Sequence, residues 1–172
     1  LKSLDRDGRV LYSGTFSKVL FPGMRLAYLV VPASQVNCFE RTCQTFQGGC
    51  AELNQAIAAT FMTEGHFARH IQRMRKLYSE RRAMAVNGLN SVLGEHIQID
   101  ANPGGMHLIL RLNKPQSDTL LVQRMREAGL FAEALSEWSQ LGDKPSALLL
   151  GFVNIESQAS AQALGKRILA LM

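Results

Sequence analysis

One lysine stands among residues that could put it to chemical use. In Ser13-Gly14-Thr15-Phe16-Ser17-Lys18-Val19-Leu20-Phe21-Pro22-Gly23-Met24-Arg25-Leu26-Ala27-Tyr28, Lys18 shares a short polar segment with two hydroxyls, Thr15 and Ser17, and with Arg25. Apolar runs flank it, Val10-Leu11-Tyr12 before and Leu26 to Val31 after. This pattern predicts a polar turn held between two buried strands. Partial desolvation lowers a lysine pKa, and a neutral amine can attack a carbonyl carbon. Thr15, Ser17 and Arg25 add hydroxyl donors and a planar cation, a set that suits a phosphate group. Taken alone, the same residues also fit an exposed lysine in a turn and an arginine paired with a carboxylate at a strand entrance.

Other chemistries find less support. His66 and His70 have the i, i+4 spacing of a metal pair, but no third ligand follows and no glutamate completes an HExxH arrangement. His107 reads as a structural hydrogen-bonder. Serine-hydrolase order, a GxxxxGK[ST] phosphate loop and zinc-finger spacing are all absent from the sequence.

The elements that must position the lysine follow from periodicity. Residues 9–14 and 26–31 read as strands, the second continuous enough to be covered on both faces. Asp7-Gly8 marks the turn before the first, and Pro32 ends the second. Ser34 is expected to cap a helix over 35–46, with Val36, Phe39 and Cys43 on one face, and Gly48-Gly49 to break it. A second helix fits 51–63, with Gly65 after its end. Phe67, Ile71, Met74, Tyr78, Ala85, Leu89 and Val92 keep a helical period over 66–93, opposite Arg69, Arg73, Arg75 and Lys76. Gly94 stops that helix.

The remainder predicts a small α/β unit. Strands are expected at 97–99, 106–112, 130–134 and 147–152, with a turn at Pro103-Gly104-Gly105. A helix capped by Ser117 or Asp118 should run to 128, before Gly129. Residues 135–145 read as loop, and Ser157 or Ser160 opens a last helix ending at Met172.

Composition bounds the class. The chain has 172 residues, 47% hydrophobic and 19% charged, which predicts a globular core and excludes wholesale disorder. No apolar stretch approaches the length of a membrane span. The net charge of +5 is concentrated only between Arg69 and Arg82, where a solvated helix face explains it better than nucleic-acid contact. Cys38, Cys43 and Cys50 form no disulfide framework, which fits reduced thiols in the cytoplasm. With Leu1 in first place and a hydrophobic run close behind, the chain reads as an internal or C-terminal piece of a longer protein.

Gly-Thr-Phe-Ser-Lys followed by Pro-Gly-x-Arg-Leu-x-Tyr resembles the Schiff-base region of fold-type I aminotransferases, which depend on pyridoxal 5′-phosphate (PLP). The wording is most similar to the aminotransferase-like domain of the MocR subfamily of GntR transcription regulators. The likeness covers nearly the whole chain. It includes Leu4 to Val10, Glu64-Gly65-His66-Phe67, His70 to Arg82, Pro103 to Leu108 and Leu150-Gly151-Phe152.

This resemblance implies the C-terminal portion of a PLP-dependent transferase fold. Residues 1–80 would close the large cofactor-binding domain and begin a connecting helix, and 81–172 would form the small C-terminal α/β domain. Lys18 would be the Schiff-base lysine, with Thr15, Ser17 and Arg25 on the cofactor phosphate. Tyr28 would pack, and Ala27 replaces a glycine common in the family. Many aminotransferases carry a carboxylate-clamping arginine three residues before the phenylalanine of the last strand. Phe152 is present here, but the matching position is Leu149. The clamp is then absent or supplied by another residue, and Arg111, the nearest candidate, reads as a surface side chain. The resemblance therefore implies a PLP-binding domain of a bacterial regulator that senses a small amine or amino acid. Such a protein is cytoplasmic and dimeric, and binds DNA only through a domain absent from this chain. The alternative is a class I/II aminotransferase acting on an amino acid. The residues that pair with the pyridine nitrogen and stack on the ring precede the lysine in this fold. The isolated chain is therefore expected not to retain PLP.

Overall fold

A computed structural model describes residues 2–47, 51–100, 104–139 and 146–172. The helix break at Gly48-Gly49, Cys50, Pro103 and the loop at 140–145 lie outside the described residues. The chain divides into two compact units, Leu1–Arg73 and Met74–Met172.

In the first unit, β1 (Tyr12–Thr15) pairs antiparallel with β2 (Ala27–Val30), Thr15 opposite Ala27 and Gly14 opposite Tyr28. β1 starts later than its apolar run. The Asp5 carboxylate accepts the N–H groups of Arg9 and Val10, both at 3.0 Å, and so holds them in the preceding turn. A Cβ on Gly14 would meet the Tyr28 ring, which would have to move aside. A 3₁₀ turn, Ala33–Gln35, leads into α1 (Val36–Gln47). Ser34 does not cap this helix. It lies inside the turn, which Pro32 starts with φ −59° and ψ 143°. Next come α2 (Glu52–Thr63) and α3 (His66–Leu93), separated by Gly65 at φ 75°.

The first unit does not bury β2. All four of its residues are exposed, and the buried residues described in this unit are Met24, Pro32 and Ala58. An apolar run is covered only where other layers meet it, and a two-stranded ribbon supplies none.

The core lies in the second unit. β3 (Ile97–Ile99), β4 (His107–Leu112), β5 (Glu133–Ala134) and β6 (Ala147–Gly151) form one antiparallel sheet in the order β3-β4-β6-β5. Leu108 and Leu110 of β4 and Leu148 and Leu150 of β6 alternate inward, as strand periodicity requires. They meet Ala85, Leu89 and Leu93 from α3, Leu121 and Met125 from α4 (Asp118–Glu127), and Ala161 and Ile168 from α5 (Gln158–Leu169). The largest departures from expectation in this unit are at three elements. β5 is only two residues long, Leu135–Trp138 forms a 3₁₀ turn, and α5 ends at Leu169.

Ser117 caps α4 by accepting the Leu120 N–H at 3.3 Å. Asp118 is thereby free for another role. Buried, it accepts the Ser136 hydroxyl at 2.6 Å, the Ser136 N–H at 3.0 Å and the Ala147 N–H at 3.2 Å, tying α4 to β6. Burial pushes its carboxyl pKa up, but these hydrogen bonds together bring it below the ordinary value.

Candidate cofactor site at the lysine turn

Thr15, the last residue of β1, and the connection that follows it to β2 carry every predicted site residue. The Phe16 N–H donates to the Leu26 carbonyl at 3.0 Å, continuing the ladder one step beyond the strands. The chain then makes a single turn closed by Leu20 N–H to Phe16 carbonyl at 2.8 Å. Ser17, Lys18 and Val19 lie within it. The Thr15 hydroxyl accepts the Ser17 N–H at 3.1 Å and donates to the Leu26 carbonyl at 3.4 Å. Thr15 thus organises the turn as a local side-chain cap, the ordinary use of a threonine at a strand end. Its longer bond is weak by geometry.

Arg25 reaches the same end of the ribbon by a different route. A 3₁₀ turn, Pro22–Met24, is followed by Arg25 at φ 47°, ψ 38°, with its N–H donating to the Pro22 carbonyl at 3.3 Å. It is the one non-glycine residue with positive φ among those described. A left-handed residue with a Cβ costs about 1–2 kcal/mol. Asn54 of α2 helps hold it by donating to the Met24 carbonyl at 2.9 Å, and Met24 itself is buried.

The predicted residues are brought together unevenly. Thr15 and Ser17 touch. Lys18 and Arg25 are both exposed, and among the described residues neither side chain has a hydrogen bond or ion pair. The carboxylate partner that would make Arg25 a structural ion pair is not among those residues. Arg25 lines an open groove of about 1050 Å³ with Tyr28, Leu29, Val36, Phe39 and Glu40, and Lys18 does not line it. The Tyr28 ring packs against Tyr12 and Phe16, with centroids 6.0 and 5.6 Å apart. Hydrogen bonding with Tyr12, and then burial, raises the Tyr28 phenol pKa.

Elsewhere the structure sorts the remaining candidates. His66 lies 3.2 Å from a Glu64 oxygen, and its Nδ1 lies 2.8 Å from an Arg69 nitrogen. No group of metal-ligating residues exists among the described ones. His107 is exposed on β4, opposite Gly151 of β6, and its side chain makes no hydrogen bond among the described residues. Leu149 faces away from the core, paired with Ile109 and Glu133. On the same face, Arg111 holds Asp100 with two hydrogen bonds of 2.8 and 2.9 Å, which raise the arginine pKa.

Sequence reasoning missed two features of the turn. One is the left-handed Arg25, for which the preceding Pro22-Gly23 was the available signal. The other is a bond from His70 Nε2 to the Val19 carbonyl at 2.8 Å. Its two ends are too far apart in the chain for any local pattern to join them.

Known proteins share the sequence and the fold of this chain. The family model described as aminotransferase class I and II matches residues 2–140. The probable rhizopine catabolism regulatory protein MocR of Rhizobium meliloti is 32% identical over 95% of this chain and 33% of its own length. The pyridoxine biosynthesis transcriptional regulator PdxR of Corynebacterium glutamicum is 31% identical over 88% of the chain and 32% of its own length. The chain thus spans about a third of these curated relatives. Among solved structures, Pyrococcus horikoshii kynurenine aminotransferase superposes with TM-score 0.82 at 24% identity, covering 98% of this chain and 43% of that one. LysN of Thermus thermophilus, complexed with N-(5′-phosphopyridoxyl)-L-leucine, gives 0.75 at 25% identity, over 95% and 43%. The PLP-dependent transferase fold and the likeness to MocR-type regulators, both expected from motifs along nearly the whole chain, are borne out.

Proposed function

Because this chain belongs to the aminotransferase class I and II family, we propose that it is part of the PLP-binding, effector-sensing domain of a bacterial transcription regulator. The observation that carries the reading is a pair of exposed cations with no side-chain partner among the described residues. Lys18 and Arg25 stand in one connection, beside two hydroxyls, with Arg25 held in a strained backbone conformation. Backbone strain of this kind concentrates at binding sites. The donor set fits the cofactor: an amine for a carbonyl carbon, a guanidinium for two phosphate oxygens, and hydroxyls to complete the phosphate's hydrogen bonds. When bound, PLP supplies an electron-withdrawing ring that stabilises negative charge on the carbon attached through its aldehyde. In this reading Lys18 binds and orients that aldehyde. Arg25 anchors the phosphate. Ser17 donates its hydroxyl, and Thr15 both shapes the turn and can release its weak bond to Leu26 to donate outward.

The regulatory role rests on relatives named as regulators. It also rests on Leu149, which cannot clamp a substrate carboxylate. The effector would be a small amine or amino acid, DNA would be bound through a domain outside this chain, and the working protein would be a cytoplasmic homodimer. The second reading, an aminotransferase in which Lys18 also moves a proton from the substrate Cα, is favoured by the shared fold and the family match. Turnover of amino acids by the full-length protein would restore it.

Titrating the full-length protein with PLP tests the site. A band near about 420 nm is expected in the wild type and should vanish in Lys18→Ala. Arg25→Ala should weaken PLP about 10- to 100-fold, the range for losing hydrogen bonds to a charged group. A wild-type protein without the band would overturn the assignment.

A further inference from the structure

The turn that carries Lys18 is gripped from one side by a single helix face. His70 and Phe67 lie three residues apart on α3, and so face the same way. His70 Nε2 is 2.8 Å from the Val19 carbonyl. Phe67 meets Phe16 edge to face, with centroids 6.0 Å apart and planes at 70°. Phe16 and Val19 bracket Ser17 and Lys18. The Leu20 N–H to Phe16 bond closes the same turn at 2.8 Å. The lysine's backbone is therefore fixed at both flanks by residues from one rigid element.

The bond has a defined sense. A carbonyl only accepts, so His70 carries its proton on Nε2 and donates. The imidazole is itself held, because Phe61 of α2 packs against it at 6.3 Å with planes at 63°. Aromatic contacts of this kind favour edge-to-face geometry and restrict ring rotation.

We propose that His70, supported by Phe67, is a positioning residue for Lys18, setting the direction in which the amine leaves the turn. The role rests on Lys18 being the cofactor lysine. A lysine side chain has four rotatable bonds, so its amine can be placed only if the backbone beneath it is fixed.

The test uses the full-length protein in three forms: wild type, His70→Ala and His70→Gln. Gln can present an amide N–H in place of Nε2–H. Amide hydrogen exchange at Leu20, together with the PLP dissociation constant from the visible band, reads the effect. His70→Ala should speed Leu20 exchange and weaken PLP, each by about 5- to 10-fold, the effect of one hydrogen bond. His70→Gln should restore both. Unchanged exchange in His70→Ala would overturn the role. So would faster exchange with unaltered PLP affinity, or a Gln variant as impaired as the Ala variant. A wild type without the band would overturn the cofactor reading and this role with it. An intact band with unchanged exchange in His70→Ala would overturn this role alone.

Discussion

Lys18 has no unusual neighbour in sequence beyond two hydroxyls, and in the fold its side chain has no partner among the described residues. Arg25 shares that freedom but carries backbone strain as well. The contrast with Asp118 is instructive. Asp118 is the buried charged residue of the described chain, and three hydrogen bonds satisfy it. Its role is structural, because a paired carboxylate offers nothing to a ligand. Asp118→Asn should destabilise the protein by about 1.5–3 kcal/mol, the range for hydrogen bonds to a charged group, measured by urea unfolding at neutral pH. The pH dependence has a fixed sign. The folded pKa lies below the ordinary value of 3.8, so Asp118 stabilises fully above that value. The contribution is lost as pH falls through the depressed folded pKa. The wild-type minus Asn difference should therefore shrink on acidification below about pH 4 and stay flat above it.

Among the elements, α3 does two jobs along its length. Its first turns hold the lysine connection through Phe67 and His70. Its later turns pack into the second unit's core, where Gly88 lies against α5. A Cβ on Gly88 would strike Ala161 Cβ and come within 2.7 Å of the Gln158 carbonyl. Two effects compete in Gly88→Ala. Helix propensity gains about 1 kcal/mol, while overpacking two helix backbones costs about 1–3 kcal/mol. The clash involves backbone that cannot swing aside, so overpacking wins and the midpoint of thermal unfolding should fall. A rise would mean that α5 can shift outward. The bounds of α3 were legible because the apolar period is long, with a glycine just beyond each end. The extent of β1 was not, since the Asp5 hydrogen bonds to Arg9 and Val10 override strand propensity locally. Ser34 likewise read as a cap but lies inside the 3₁₀ turn that precedes α1.

At the scale of the whole molecule, the two units differ in completeness. The second has a continuous apolar core, while the first leaves Tyr12, Leu29 and Val30 about half exposed on its ribbon. The chain spans about a third of the length of its curated relatives. The isolated 172-residue chain is therefore expected to show no band near about 420 nm with added PLP, while the full-length protein shows it. Light scattering of the full-length protein at micromolar concentration should give a dimer. A band in the isolated chain, lost in Lys18→Ala, would show that these residues alone suffice.

The sequence by itself determined the family, the order of the main helices and strands, and the identity of the lysine, arginine and hydroxyls at the turn. These are local properties, written in periodicity, turn residues and a short motif. The absence of an arginine at Leu149 is local in the same sense. Only the tertiary structure decided that Arg25 is left-handed, that Asp118 ties α4 to β6 instead of capping its helix, and that His70 holds the carbonyl beside Lys18. Each depends on groups distant in the chain or on a backbone angle set by its surroundings, and neither composition nor spacing encodes such meetings. The exposure of β2 belongs here too, because burial is a property of what packs against a strand and not of the strand's own residues.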